Sequence, residues 1–405
     1  MSYELLSKLY YKDPENYESI YQERLTSPYT VQTSFKINGS PAFFTYTMDV
    51  FQLVNNIQSL DRAIIMLADS LPHQALSQYT QDCLIDEIVL TNSIEGVHST
   101  RKEIGDALAV LEEQSVKKGK HMRFLGMVKK YNRLVSSAAT PLEAPEDIRK
   151  LYDEAVLEEV VEEDSRNAPD GSIFRKGSAS VLDESQREIH RGVYPEADII
   201  SSMQNALTFL NDDTVNDLFR VCCFHYLFEY IHPFYDGNGR LGRLILSERL
   251  TEVLHPLVAF RISATIRSDL HAYYKAFKEC NLETNRGDMT PFLLMMLQML
   301  RTAEIELYDD LDERNATWKN YSRLIKDLKL SKEQEDLFLV LLEGTLFRQE
   351  GVSRKGLMTR LEISSTTLKK RIEVLKEKTL VEETREGRLL FYKLNLNNLY
   401  MFANG

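Results

Sequence analysis

The sequence predicts a mainly α-helical protein. Apolar residues recur at the three-to-four-residue spacing of one helix face through most segments between about residues 43 and 328. Short β-prone pieces beside polar turns occur near residues 172–194 and 381–394. The 405 residues, 43% apolar and 27% charged, are enough for a large core and two or three domains. We expect an N-terminal helical region over 1–110, a helical core over 111–325 and a C-terminal module over 326–405.

Charge and cysteine usage indicate the compartment. The formal net charge of −12 argues against a general nucleic-acid coat. The four cysteines lack paired metal spacing, and two of them, Cys222 and Cys223, adjoin within a helical pattern, so they read as buried thiols of a reducing compartment. The chain shows no basic N-terminal segment followed by an apolar one and no run of eighteen apolar residues. We expect a soluble cytoplasmic protein that does not contact a membrane.

The N-terminal region contains one unusual acid. Residues 1 to about 40 are rich in tyrosine and irregular, whereas helical patterns run from 43 to about 71 and from about 76 to 95. Gly96 then provides the usual helix stop. Glu95 lies in the last turn, where a carboxylate opposes the helix dipole, and it is seven residues after Ile88 on the inward face. An inward acid at this end of a helix requires a cation.

The middle of the chain changes from helix to strand. Thr100 and Glu103 form a capping-box pattern that opens another helix, and further helical segments continue to about residue 163. Residues 164–171 read as a polar loop. Residues 172–194 then favour a β-hairpin around a polar turn.

The run Ile-His-Pro-Phe-Tyr-Asp-Gly-Asn-Gly-Arg-Leu-Gly-Arg, residues 231–243, carries the chemistry. A helical pattern precedes it and should stop near Ile231, because proline disfavours a helical residue before it, so His232 lies at a loop entrance. A second helix begins near Gly239. The glycines leave backbone N–H groups accessible at this helix start, which makes an anion site. Arg240 and Arg243 share one face of the first turn and suit phosphate.

Every fixed position of H-x-F-x-D/E-G-N-G-R-x-x-R is present, and in this the run resembles the signature of the Fic family. The resemblance implies a protein adenylyltransferase, which transfers AMP from ATP to a Ser, Thr or Tyr hydroxyl of a target protein or of itself. It implies that His232 is the general base and that Asp236 holds Mg²⁺. It further implies that the anion hole is formed by Gly237, Asn238 and Gly239. The outer phosphates would be held by Arg240 and Arg243. Such transfer depends on positioning and charge neutralisation, and a histidine that is neutral near pH 7 suits the base.

The segment from Thr91 to Glu95 and Gly96 matches the inhibitory pattern of the same family, [S/T]-x-x-x-E-[G/N]. The resemblance implies that Glu95 pairs with Arg243, so that ATP binds with its γ-phosphate misplaced. It places the chain in the class with an N-terminal inhibitory helix. Some relatives use this glutamate to remove AMP, so a deAMPylase that uses Glu95 stays open. A nucleotide-sensing DNA-binding regulator is the non-enzymatic alternative.

Two other segments resemble the family less specifically. A Fic flap holds the target segment by strand-like pairing, so Val181 and Leu182 are flap candidates, with an ordinary surface hairpin as the alternative. Residues 273–281 resemble the segment that lines the adenosine pocket. There Tyr274 would face the base and Asn281 the ribose or adenine, whereas aromatics at helical spacing are otherwise typical of a core.

The C-terminal module has a different order of elements. Ser331 and Gln334 form a capping-box pattern for a helix ending near 344, and helices over 353–361 and 364–378 are followed by two strands around residues 386–387. This order resembles the winged helix-turn-helix group. Eleven Lys/Arg against six Asp/Glu over residues 351–395 give a local charge of +5. The charge favours DNA, whereas docking of a protein or of a second copy as a homodimer is the alternative. The recognition-helix candidates are Ser365, Thr366, Lys369 and Lys370. The sequence does not identify the target protein.

Overall fold

The computed structural model describes residues 3–112, 122–135, 139–182, 188–386 and 389–404. It is mainly helical, which confirms the predicted class. The helices are α1 (Leu6–Lys12), α2 (Tyr17–Thr26), α3 (Met48–Asp69), α4 (His73–Ile94), α5 (Arg101–Glu112), α6 (Leu125–Arg133), α7 (Pro145–Ala155), α8 (Leu157–Glu163), α9 (Glu196–Leu210), α10 (Asp217–Ile231), α11 (Asn238–Leu250), α12 (Pro256–Ala259), α13 (Ile262–Ser268), α14 (Leu270–Cys280), α15 (Thr290–Asp327), α16 (Lys332–Phe347), α17 (Arg354–Leu361), α18 (Ser365–Glu377) and α19 (Leu396–Asn404). The strands are β1 (Thr30–Ile37), β2 (Ser40–Thr45), β3 (Ser180–Leu182), β4 (Glu188–Arg191), β5 (Val352–Ser353), β6 (Val381–Glu386) and β7 (Leu389–Leu394).

The chain divides into two compact units. The first comprises Met1–Asp61 and Leu84–Ile305, and the second comprises Arg62–Cys83 and Glu306–Gly405. The predicted domain boundaries at residues 110 and 325 divide the chain into consecutive segments, whereas each of these two units combines two separate segments. The predicted boundaries stay a prediction. No helix in the described ranges is both long and apolar enough to cross a bilayer.

Helix α10 is the central element of the first unit. It is buried on nearly every side, as expected for a helix that is apolar all round, and α9 and α11 pack against it. The side chain of Asn216 caps its start by accepting a hydrogen bond from the Leu218 backbone N–H at 3.0 Å. Because α10 is held by its surroundings along its length, the residue at its end has a defined position.

The N-terminal hairpin of β1 and β2 corrects the sequence reading, which left residues 1–40 irregular and began a helix at 43. Asn38 and Gly39 form the two-residue turn with positive φ values of 48° and 79°, which suits an Asn-Gly hairpin turn. Phe43 and Phe44 belong to β2 and are buried, so the helical pattern starts only with Met48. The Asn-Gly pair was the available signal for this hairpin.

The structure confirms several predicted helix starts through their caps. Thr100 and Glu103 exchange backbone and side-chain hydrogen bonds at the start of α5. Ser331 and Gln334 do the same at α16. The hydroxyls of Ser353 and Ser364 accept from backbone N–H groups of the first turns of α17 and α18. In the second unit, β5, β7 and β6 form an antiparallel sheet in that order; residue 387, at the predicted turn, lies outside the described residues.

The predicted hairpin in the middle of the chain is present as β3 and β4. The two strands are antiparallel, and Val181 lies opposite His190. Residues 183–187, which belong to the predicted polar turn, lie outside the described ranges, as does the side chain of Leu182.

Candidate functional site

His232 follows the last residue of α10 and has a left-handed backbone, with φ 51° and ψ 63°. A residue other than glycine in this region stores roughly 1–3 kcal/mol of strain, so surrounding contacts must hold it. Its N–H still donates to the Phe228 carbonyl at 3.0 Å, while Pro233 prevents another helical turn. The end of α10 therefore fixes the position from which the imidazole of His232 projects.

The loop after His232 is held by Phe234. Its fully buried ring stacks on Tyr152 with a centroid distance of 3.7 Å and meets the Phe174 ring edge-on. The Asn238 side chain accepts from the Phe234 N–H and donates to the Phe234 carbonyl, both at 2.9 Å. Asn238 thus braces the turn with its side chain, and any anion contact would come from the backbone around it.

Arg240 is a buried cation with unused donors. The residue is 1% exposed, and within the described part of the chain its Nε and Nη2 atoms have no hydrogen-bond partner. It lies close enough to Glu159 to lower that carboxyl's pKa, although burial is the larger effect and raises it to about 7. Unpaired buried guanidinium donors are costly, so this arrangement suits an incoming phosphate.

Arg243 is tied to the end of α4. Its Nε donates to the Thr91 hydroxyl at 2.8 Å, and its Nη2 donates to the Thr91 carbonyl at 3.0 Å and to Glu95 Oε1 at 2.9 Å. Burial alone would lower the pKa of Arg243, but the negative charge of Glu95 helps to raise it above its usual range. The contact between Glu95 and Arg243 is the one that the sequence resemblance implied.

The Glu95 carboxylate also lies against the start of α11. A Cβ atom built on Gly239 would lie 2.1 Å from Glu95 Oε1, so a side chain at this position would push the carboxylate away from where it lies. Helix α4 ends at Ile94, and Gly96 takes the left-handed conformation with φ 73° that ends it. An anion therefore already lies where the helix dipole of α11 attracts one.

The surroundings of His232 keep its imidazole neutral. Burial is the main cause that lowers its pKa to about 3, with the charges of His190 and Arg175 acting in the same direction. Glu229 Oε2 lies 4.0 Å from His232 Nδ1. Burial and the charge of Glu95 raise the pKa of Glu229 to about 8. A neutral imidazole can accept a proton at physiological pH.

A cleft joins these groups to the hairpin and to α14. It is lined by Glu95, Val181, His190, Glu229, His232, Gly239, Arg243, Tyr273, Tyr274 and Phe277. Val181 and Tyr274 thus line the same cleft as Glu95, His232 and Arg243. Asn281 instead accepts a hydrogen bond from the Tyr226 hydroxyl at 2.6 Å, and it is not among the described residues that line this cleft.

Asp236 has the chemistry to hold a hard cation. Its carboxylate accepts from the Gly237 N–H, and no lysine or arginine in the described ranges forms an ion pair with it. A half-buried carboxylate beside a helix start that suits an anion fits Mg²⁺, which prefers carboxylate, phosphate and water oxygens.

Sequence reasoning assigned no role to two residues of this region, Arg175 and Glu229. Arg175 is fully buried and donates to the His232 carbonyl at 2.9 Å. Glu229 lies one turn before His232 on the same helix, so helical spacing was its available signal. A single arginine after Ile-Phe carries no such signal.

Part of the chain matches a known protein family. Residues 141–250 match the Fic/DOC family. Protein adenylyltransferase Fic of Nematostella vectensis is 39% identical over 69 residues, 17% of this chain and 14% of that protein. Protein adenylyltransferase fic-1 of Caenorhabditis elegans is 24% identical over 253 residues, 58% of this chain and 45% of that protein. The chain thus spans less than half the length of these two relatives.

A solved structure shows the same fold. The crystal structure of a Fic family protein from Desulfovibrio desulfuricans G20 superposes with a TM-score of 0.53 at 23% identity, covering 87% of this chain and 97% of that one.

Proposed function

We propose that this chain, which contains a Fic/DOC-family domain at residues 141–250, is a protein adenylyltransferase that Glu95 holds in an inhibited state. Homologues named protein adenylyltransferase support a transferase. One observation carries the inhibited state: the Glu95 carboxylate lies against Gly239 and 2.9 Å from Arg243, in the place prepared for an anion. The substrates are ATP and a Ser, Thr or Tyr hydroxyl of a target protein or of the chain itself.

The reaction follows from the positions of the side chains. His232 accepts the proton of the hydroxyl, whose oxygen forms a bond to the α-phosphorus of ATP. The bond between that phosphorus and the β-phosphate oxygen breaks, and pyrophosphate leaves. Arg240 offers its unused donors to the phosphates. Asp236 would hold Mg²⁺, which when bound supplies further neutralisation of phosphate charge.

Inhibition is a competition between two anions for Arg243. The guanidinium already uses its Nη2 on Glu95 and Thr91. A γ-phosphate that reaches Arg243 must displace the carboxylate, and two anions in one buried site repel each other. We therefore expect ATP to bind to the inhibited protein in a pose that does not align the α-phosphate with His232.

The position of the label in ATP tests this proposal. Glu95→Gly protein is incubated with ATP labelled at the α- or the γ-phosphate, and protein-bound label is read on a gel. We expect label from α-labelled ATP alone, its loss in Glu95→Gly/His232→Ala, and its retention in Glu95→Gly/His271→Ala, because His271 is exposed on α14. Label from the γ-phosphate alone would mean a kinase, and no label from either would exclude transfer to the chain itself.

The second compact unit supports a separate proposal. Its order of α16, β5, α17, α18, β6 and β7 supports a winged helix-turn-helix, with α18 as the recognition helix. Thr366, Lys369 and Lys370 are exposed on α18, whereas the Ser365 hydroxyl accepts a hydrogen bond from Arg354 at 2.6 Å. We expect Lys369→Ala/Lys370→Ala to weaken binding to duplex DNA and to reduce its salt dependence in gel-shift titrations. A wild-type chain that leaves DNA unshifted at low salt would favour a protein-docking role.

A further inference from the structure

Arg175 is a buried cation that binds only backbone. Its side chain makes three hydrogen bonds to carbonyl oxygens: Nε to His232 at 2.9 Å, Nη1 to Gly177 at 2.5 Å and Nη2 to Val193 at 2.9 Å. The residue is 0% exposed, and no carboxylate in the described ranges pairs with it. Burying a charge without a counter-ion is costly, so the three carbonyls must compensate for the lost water.

Two of these carbonyls belong to residues at the two ends of the hairpin of β3 and β4, and the third belongs to the candidate base. Gly177 precedes β3 by three residues, and Val193 follows β4 by two. Two backbone hydrogen bonds strengthen the same junction: the Arg175 N–H donates to the Pro233 carbonyl at 3.3 Å, and the Val193 N–H donates to the Ile231 carbonyl at 3.0 Å. One side chain therefore connects both ends of the hairpin to the peptide of His232.

The junction between the hairpin and His232 is tightly packed around Gly192. A Cβ atom at Gly192 would lie 2.5 Å from Arg175 Nη2 and 2.9 Å from His232 Cβ. The returning strand of the hairpin can pass at this distance only as glycine. A shift of the hairpin would therefore move the guanidinium and the imidazole together.

We propose that Arg175 is a positioning residue that holds the hairpin of β3 and β4 in register with His232, so that a hydroxyl presented along the hairpin meets the imidazole. The inference rests on the proposed function. The left-handed backbone of His232 needs such support. Misplacement of reacting groups by about 1 Å lowers a rate by roughly 100-fold.

The charge of Arg175 also acts on the base. In the described ranges, His190 from β4, Glu229 from α10 and Arg175 act on the pKa of His232, while Glu95 and Arg243 line the same cleft; the positive charge of Arg175 helps to lower the pKa of the imidazole. Removing that charge raises the pKa of His232, so the acidic limb of the pH–rate profile moves to higher pH. Lysine at this position keeps the charge but cannot bridge three carbonyls.

The test uses the full chain with Glu95→Gly as the parent and measures incorporation of label from α-labelled ATP against pH. Arg175→Gln should lower kcat by roughly 100-fold, leave the KM for ATP within about twofold and shift the acidic limb upward. Arg175→Lys should lower kcat in the same direction but leave the acidic limb in place. Lys176→Met, exposed and adjacent in sequence, should match the parent.

A second variant guards against misfolding of the Arg175 variants. Gly192→Ala keeps Arg175 but crowds both its Nη2 and the Cβ of His232, and it should lower kcat with unchanged ATP affinity by calorimetry. The inference is overturned if Arg175→Lys and Gly192→Ala both label within twofold of the parent, or if ATP binding falls in step with labelling. A parent that itself incorporates no label would instead contradict self-modification, the part of the proposed function that this assay measures.

Discussion

Replacing Glu95 with glycine should make Arg243 available to the γ-phosphate of ATP. The size of this effect follows from the contacts that the carboxylate makes. The carboxylate makes one charged hydrogen bond to Arg243 at 2.9 Å, with Arg243 2% and Glu95 28% exposed in their side chains. Hydrogen bonds of this kind contribute about 1.5–3 kcal/mol. Since 1.4 kcal/mol is a tenfold change, the γ-phosphate should reach Arg243 roughly 10- to 150-fold more readily.

The initial rate of α-label incorporation at saturating ATP measures this effect. Glu95→Gln should lie between wild type and Glu95→Gly, because the amide oxygen still accepts from Arg243 but carries no charge. Without ATP, Glu95→Gly should also melt at a lower temperature than wild type, because Arg243 then lacks its carboxylate partner. For the same reason, ATP should raise the melting temperature of Glu95→Gly more than that of wild type. Labelling by Glu95→Gly within threefold of wild type, with ATP bound, would refute the reasoning.

Three further predictions concern the buried groups of the site. Burial holds the pKa of Glu229 at about 8 against an ordinary 4.5, so its contribution to stability falls as pH rises between these values. Between pH 6.5 and 8, wild type should lose about 2 kcal/mol more unfolding free energy than Glu229→Gln in denaturant titrations; equal slopes would contradict the shift. Arg240→Met should abolish the ATP-induced increase in melting temperature, because the unused Nε and Nη2 donors of Arg240 are then no longer available to the phosphates. Phe234→Ala should lower the unfolding free energy by about 3–5 kcal/mol, whereas Phe51→Ala, at a residue 61% exposed, should change it by less than about 1 kcal/mol. Similar losses for both phenylalanines would show that the loop is not anchored by the Tyr152 stack.

Helices and their caps were readable from sequence because they follow local rules. Ser331, Ser353 and Ser364 each satisfy N–H groups within the first helical turn, and proline after His232 ends α10 wherever the rest of the chain lies. The β1–β2 hairpin was missed because Phe43 and Phe44 fit a helical period as well as a strand. Pairing with β1 and burial decided between the two.

In the candidate site, too, some features depend on neighbours in sequence and others on tertiary packing. The sequence by itself determined the loop at His232, the helix start of α11 with its predicted anion site, and the arginines three residues apart, because these features depend on neighbours within one or two turns. The Glu95–Arg243 contact joins residues 148 apart and was implied only by resemblance. Tertiary structure alone decided that Arg175 is buried beneath His232 and that Glu229 shares its surroundings with Glu95, because burial and pKa depend on what packs around a side chain and not on its neighbours in the chain.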